Sequence, residues 1–144
     1  ELAVDRGDID LAIITMSKGG SGLIDRWLDD ELIVVASPTL DAKHAGWITF
    51  TDGSPTRALL LRHVPAADIT MELGSIAAVK GNARAGMGLA LVSRAAVKTD
   101  LANGHLIEVR RSFSPVRRRL GLRHRGVHRL PPAAAALRQH LLAQ

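Results

Sequence analysis

Short apolar runs recur along this chain, separated by stretches whose apolar residues fall at wider, helical intervals. Ile9–Ile14, Glu31–Ala36, Trp47–Phe50, Ile69–Leu73 and Leu89–Val92 each have strand length. The clearest block is Ile69–Arg94. Its apolar run stops at Gly74-Ser75, where Ser75 is a natural N-cap. Ile76, Ala77, Val79, Ala83 and Met87 then follow at roughly helical spacing, and Gly86 suits the left-handed position that ends a helix. Leu89-Ala90-Leu91-Val92 has no polar position, as a strand covered on both faces requires. The block predicts strand, helix and parallel strand, and with it an α/β fold.

The flanking pattern agrees. Glu1–Gly7 reads as the last turns of a helix stopped at Gly7, leading straight into a strand. A helix tail ahead of a buried strand calls for an earlier strand, so the chain is expected to be the C-terminal part of something longer. Leu23–Leu28 predicts an extended segment, Asp29-Asp30 a turn, and Glu31–Ala36 a separate strand. Ser54-Pro55 opens a helix carrying Leu59, Leu60 and Leu61, which Pro65 ends. Ala95–Leu101 predicts a short helix and Leu106–Val109 a short strand. A final alanine-rich helix starts at Pro131-Pro132, with Leu137 and Leu141 on one face.

Charge alters the picture at one end only. Of 19 Lys and Arg, nine lie in residues 110–144, which hold none of the 14 acids. Such a segment suits nucleic-acid contact. Yet from Arg119 to Arg125 apolar and basic residues alternate, as in a half-exposed strand with outward arginines, and that is the reading adopted. Aromatic residues make up 3% of the chain, too few for base-stacking platforms. With no cysteine there is no disulfide or thiol chemistry. No apolar run approaches the roughly 20 residues of a membrane span, and no export leader opens the chain. The expectation is a cytoplasmic protein that makes no membrane contact.

Catalytic patterns are missing. The six histidines are scattered, and no serine sits in a G-x-S-x-G elbow. His124 and His128 stand in strand-like context, with Gly126 between them, which argues against a helical metal pair. Gly86-Met87-Gly88 resembles half a dinucleotide fingerprint, but it follows a helix rather than preceding one. Hence no enzyme, metal or cofactor is expected. Open α/β sheets bind ligands at the carboxyl ends of their strands. That rule selects Thr15 and Ser17 after the first strand, Ser54, Thr56 and Arg57 after Phe50, and Gly74 and Ser75 after Leu73. Two of these segments open helices, whose free N–H groups favour an anion, and Arg57 has the geometry to grip a carboxylate or similar oxyanion.

Several pieces together resemble the effector-binding domain of LysR-type transcriptional regulators. Gly7-Asp8-Ile9-Asp10-Leu11-Ala12-Ile13 is similar to that family's G-x-x-D-x-x-I strand. Glu31–Pro38, ELIVVASP, looks like its hinge strand, and Gly53–Arg57 like its second-lobe ligand loop. Glu72–Ser75 followed by Gly86–Val92 is similar to its most recognisable segment, and Leu101–Leu106 and the Pro131-Pro132 helix keep the order. Thr39-Leu40-Asp41 departs from a common His-Pro-Leu, and Ala83 replaces a larger apolar residue.

The resemblance implies a periplasmic-binding-protein type 2-like fold with two α/β lobes joined by crossing hinge strands, Leu32–Ser37 and a return near Val116–Leu122. Residues 1–35 and 117–144 would form an incomplete first lobe, and 36–116 the second. It implies a sensor for a small, often anionic metabolite bound in the cleft, with DNA contacted through an N-terminal helix-turn-helix outside this chain. It further implies a homo-oligomer, dimer or tetramer, in the full-length protein. A solute-binding protein for transport on the same fold is the alternative expectation.

Overall fold

The computed structural model describes residues 2–16 and 23–143. Its elements are helix α1 (Leu2–Arg6), strands β1 (Leu11–Thr15), β2 (Leu23–Ala36) and β3 (Trp47–Phe50), helix α2 (Pro55–His63), strand β4 (Ile69–Leu73), helix α3 (Ile76–Arg84), strand β5 (Leu89–Ser93), helix α4 (Arg94–Ala102), strands β6 (Ile107–Glu108) and β7 (Val116–His124), a 3-10 turn at Val127–Arg129, and helix α5 (Pro132–Leu142). The chain divides into two compact units. One comprises Glu1–Asp30 and Arg118–Gln144, the other Glu31–Arg117. Strands β2 and β7 carry the backbone from one to the other.

In the Glu31–Arg117 unit, β5, β3 and β4 run parallel to one another, and β2 lies antiparallel against β5. The period-2 pleat sorts the apolar residues of each strand between two faces. Ile33, Val35, Ile48, Ala90 and Val92 pack with Val79 and Ala83 of α3 and Val97 of α4. Leu32, Val34, Trp47, Leu89 and Leu91 pack with Leu60 of α2 on the other face. Both faces are covered, which is why the strands read as unbroken apolar runs. Each of these large side chains contributes about 1.5–3 kcal/mol on full burial.

Helix α3 is shorter than its spacing predicted. It ends at Arg84, and Gly86 takes φ +77°. The Gly86 N–H donates to the Ala83 carbonyl and the Met87 N–H to that of Asn82, the paired bonds of a Schellman stop. Met87 therefore lies beyond the helix and is exposed, as is Ile76, and the buried face reduces to Val79 and Ala83. Gly88 has a different duty. A Cβ there would stand 2.8 Å from the Gly46 carbonyl oxygen, so only glycine lets β5 start beside β3.

The Glu1–Asp30 and Arg118–Gln144 unit holds α1, β1 and α5, with β1 antiparallel to β7. Among its described residues Val4 and Leu122 are fully buried and apolar. The predicted turn at Asp29-Asp30 does not form, because β2 runs unbroken from Leu23 to Ala36. Aspartate disfavours strands, but here arginines of the neighbouring β7 compensate. Arg118 pairs with Asp30 at 2.7 Å and Arg119 with Asp29 at 3.7 Å, while Arg26 holds Asp29 at 2.6 Å. The arginine-rich segment is a strand, as the alternation indicated, but its arginines do not all face outward. Arg117 and Arg119 are exposed, whereas Arg123 is buried and its Nη2 donates to both carboxylate oxygens of Asp5 at 2.8 and 2.9 Å. Leu137 of α5 is exposed, and that helix buries no residue.

Candidate functional site

Strands β3 and β4 are in parallel register, with Phe50 opposite Leu73, so the turns that follow them stand side by side. Each turn enters a nine-residue helix through a serine cap. Ser54 is extended at φ −70°, ψ 128°, and its Oγ accepts the Arg57 N–H at 3.5 Å. Ser75 is extended at φ −145°, ψ 152°, and its Oγ accepts the Ala78 N–H at 3.2 Å. Two helix N-termini thus open on one edge. Space is available there, since a Cβ built on Gly53 or on Gly74 would meet nothing within 4 Å.

Thr56, at the second position of α2, is buried. Arg57 does not lie out in solvent. Its side chain is 17% exposed, its Nη1 donates to the Phe50 carbonyl at 3.3 Å, and the same nitrogen pairs with Glu72 of β4. Glu72 was not among the expected site residues. It sits opposite Thr49, two residues before Gly74, with 43% of its side chain exposed. Its polar place in an apolar strand, just ahead of a Gly-Ser turn, was the available signal.

The third parallel strand closes the same edge. β5 ends at Ser93 and passes directly into α4, which begins with Arg94. A cation at a helix N-terminus opposes the helix dipole. Two carboxylates offset it. Arg94 donates Nη1 and Nη2 to Glu108 at 2.8 and 3.0 Å, and Nε to Glu31 at 3.2 Å. These bonds, Glu108 foremost, raise the guanidinium pKa above its already high ordinary value. The same reasoning that selected Ser54 and Ser75 selects Ser93-Arg94, because all three follow parallel strands.

Five of the expected residues, Ser54, Thr56, Arg57, Gly74 and Ser75, therefore share one edge of one unit. Thr15 ends β1 in the other unit, half-buried and opposite Leu120. Ser17 lies outside the described residues. A separate open depression of about 510 Å³ occurs at the opposite edge, lined by Ser37, Gly81, Arg84, Gly104 and His105. It is bordered by the C-terminal ends of α3 and α4, whose carbonyls do not favour an anion. Arg84 is turned toward Asp100 at 3.4 Å, and Lys80 holds the same buried carboxylate at 3.1 Å. Among the described residues no helix is long and apolar enough to cross a membrane.

Comparison with known proteins places this architecture. The family model described as LysR substrate binding domain matches residues 1–144. An uncharacterized HTH-type transcriptional regulator of Escherichia coli K12, YeiE, is 36% identical over 129 residues, which cover 80% of this chain and 43% of that protein. The chain thus spans less than half the length of this curated relative. Among solved structures, the regulatory domain of Synechocystis CcmR in complex with 2-PG superposes with a TM-score of 0.78 at 22% identity, covering 99% of this chain and 76% of that one. Vibrio fischeri DarR in complex with DNA gives a TM-score of 0.80 at 14% identity, covering 99% and 53%. These two likenesses concern the fold.

Proposed function

The chain belongs to the LysR substrate-binding domain family, with its periplasmic-binding-protein type 2-like fold, and on that premise we propose that it binds a small anionic effector at the shared edge of β3 and β4. The observation that carries the reading is the pair of serine-capped helix N-termini side by side after parallel strands, with the Arg57 guanidinium beside them. Free N–H groups and aligned peptide dipoles at such ends favour negative charge. Ser54, Thr56, Arg57, Gly74 and Ser75 contribute the contacts from this unit.

In the full-length protein the domain regulates transcription. DNA is contacted by a helix-turn-helix outside this chain, and the regulator works as a cytoplasmic homo-oligomer, dimer or tetramer. The domain senses rather than catalyses. A ligand shifts such a regulator only through different affinities for its conformational states. The regulatory-domain relatives favour this reading over a solute-binding role in transport.

A thermal-shift screen of small organic anions tests the proposal. A specific effector at a hundred times its Kd stabilises by about 2.7 kcal/mol. At least one member of a broad panel should raise the melting temperature, and the double variant Ser54→Ala, Ser75→Ala should blunt that rise. A panel with no stabiliser, or a rise unaltered in the double variant, would overturn the assignment.

A further inference from the structure

Arg57 and Arg94 both stand at the edge where the ligand is proposed to bind, and both are already neutralised. The two are held differently. Arg94 is gripped by Glu108 through two nitrogens and by Glu31 through a third. Such a set of charge-assisted bonds does not yield to a single incoming anion. Among the described residues Arg57 has one carboxylate partner, Glu72, through Nη1. The Glu72 side chain is 43% exposed, whereas that of Arg57 is 17% exposed. Glu72 can rotate into water at little cost, while Arg57 stays anchored by the Phe50 carbonyl.

We infer that Glu72 is a built-in competitor that occupies Arg57 until an oxyanion displaces it. The inference rests on the reading of this edge as an anion site, and it names the regulation of that site. An incoming carboxylate or phosphate takes over the guanidinium that Glu72 releases. The Glu72 carboxylate then turns toward solvent and leaves the end of β4 without its tie to α2. Binding is thereby coupled to loss of a cross-link between β4 and α2. The pair also sets a threshold, because weak or neutral ligands do not displace Glu72.

The test is calorimetric titration of the chain with inorganic phosphate and, separately, with a small monocarboxylate. Glu72→Gln and Glu72→Thr both remove the competing charge, and threonine suits the strand if glutamine does not. A partly exposed pair of this kind corresponds to about a two- to fivefold change in affinity. Both variants should bind oxyanions tighter by that factor, and the gain should vanish when Arg57→Gln is added. Equal or weaker binding in both variants would overturn the competition while leaving the anion site standing. A gain that persists without Arg57 would also overturn it, since Glu72 would then act by general repulsion. No oxyanion binding by the unaltered chain or by either variant would overturn the site reading, and the competition with it.

Discussion

Replacing Arg138 with methionine isolates what holds α5 to its unit. The helix buries no residue, so apolar packing contributes little to its attachment. One specific tie is Arg138, whose Nε and Nη2 donate to the two oxygens of Asp25 at 2.6 and 2.8 Å. The side chains are 18% and 26% exposed. Hydrogen bonds to charged groups contribute about 1.5–3 kcal/mol each when shielded. Solvent access and the entropy of ordering a long side chain reduce the pair to about 1–3 kcal/mol in total. Methionine keeps most of the aliphatic stem and removes only the charge and its donors.

Amide hydrogen exchange across residues 132–142 reads this directly. Protection in α5 should fall about 5- to 150-fold at neutral pH, with Leu32–Ala36 unaffected. The effect should depend on pH in one sense. The Asp25 carboxyl is held below its ordinary value, chiefly by Arg138, with His124 adding to the effect and burial opposing it. A group with a lowered folded pKa stabilises fully above its unfolded value, about 3.9, and loses that contribution as pH falls through the lower folded one. The gap between the two proteins should therefore close in acid. Unaltered α5 protection at neutral pH, or a gap that stays constant into acid, would refute the reasoning.

Three further outcomes follow from the same geometry. Gly88→Ala places a methyl 2.8 Å from the Gly46 carbonyl oxygen and should cost about 1–3 kcal/mol in urea unfolding, with a neutral result refuting the close approach. Ser75→Ala should cost about 1 kcal/mol and Ser75→Gly only a few tenths, and equal losses in thermal unfolding would show that the cap is not the cause. Asp30→Ala removes the carboxylate paired with a largely buried Arg118 and should cost about 3 kcal/mol, much of it recovered when Arg118→Met is added. A single and a double variant of equal stability would exclude that coupling.

The Asp29-Asp30 segment shows where local reading stops. Two consecutive aspartates signal a turn because their side chains compete with strand hydrogen bonding. Nothing nearby in sequence announces that Arg118 and Arg119, almost ninety positions on, run beside them. Arg123 makes the same point, since an alternating basic strand reads as a solvated face until Asp5 of α1 is placed against it. The apolar blocks were legible for the opposite reason. A strand buried on both faces has no polar position to confuse its reading, and Gly86 announces a helix stop through its own backbone freedom.

The candidate site divides along the same line. Ser54, Gly74 and Ser75 are recognisable as strand-to-helix turns because caps and glycines act on the backbone within a few residues. Those local rules, together with period-2 and helical spacing, determined the α/β class and the positions of the strand-to-helix turns. Tertiary structure alone decided that β3 and β4 lie in parallel register, which sets the turns side by side. It alone gave Arg57 a partner in Glu72, and Arg94 its two carboxylates. Caps and periodicity are short-range properties of the backbone. Charge pairing depends on which strands become neighbours, and that is settled only when the whole sheet forms.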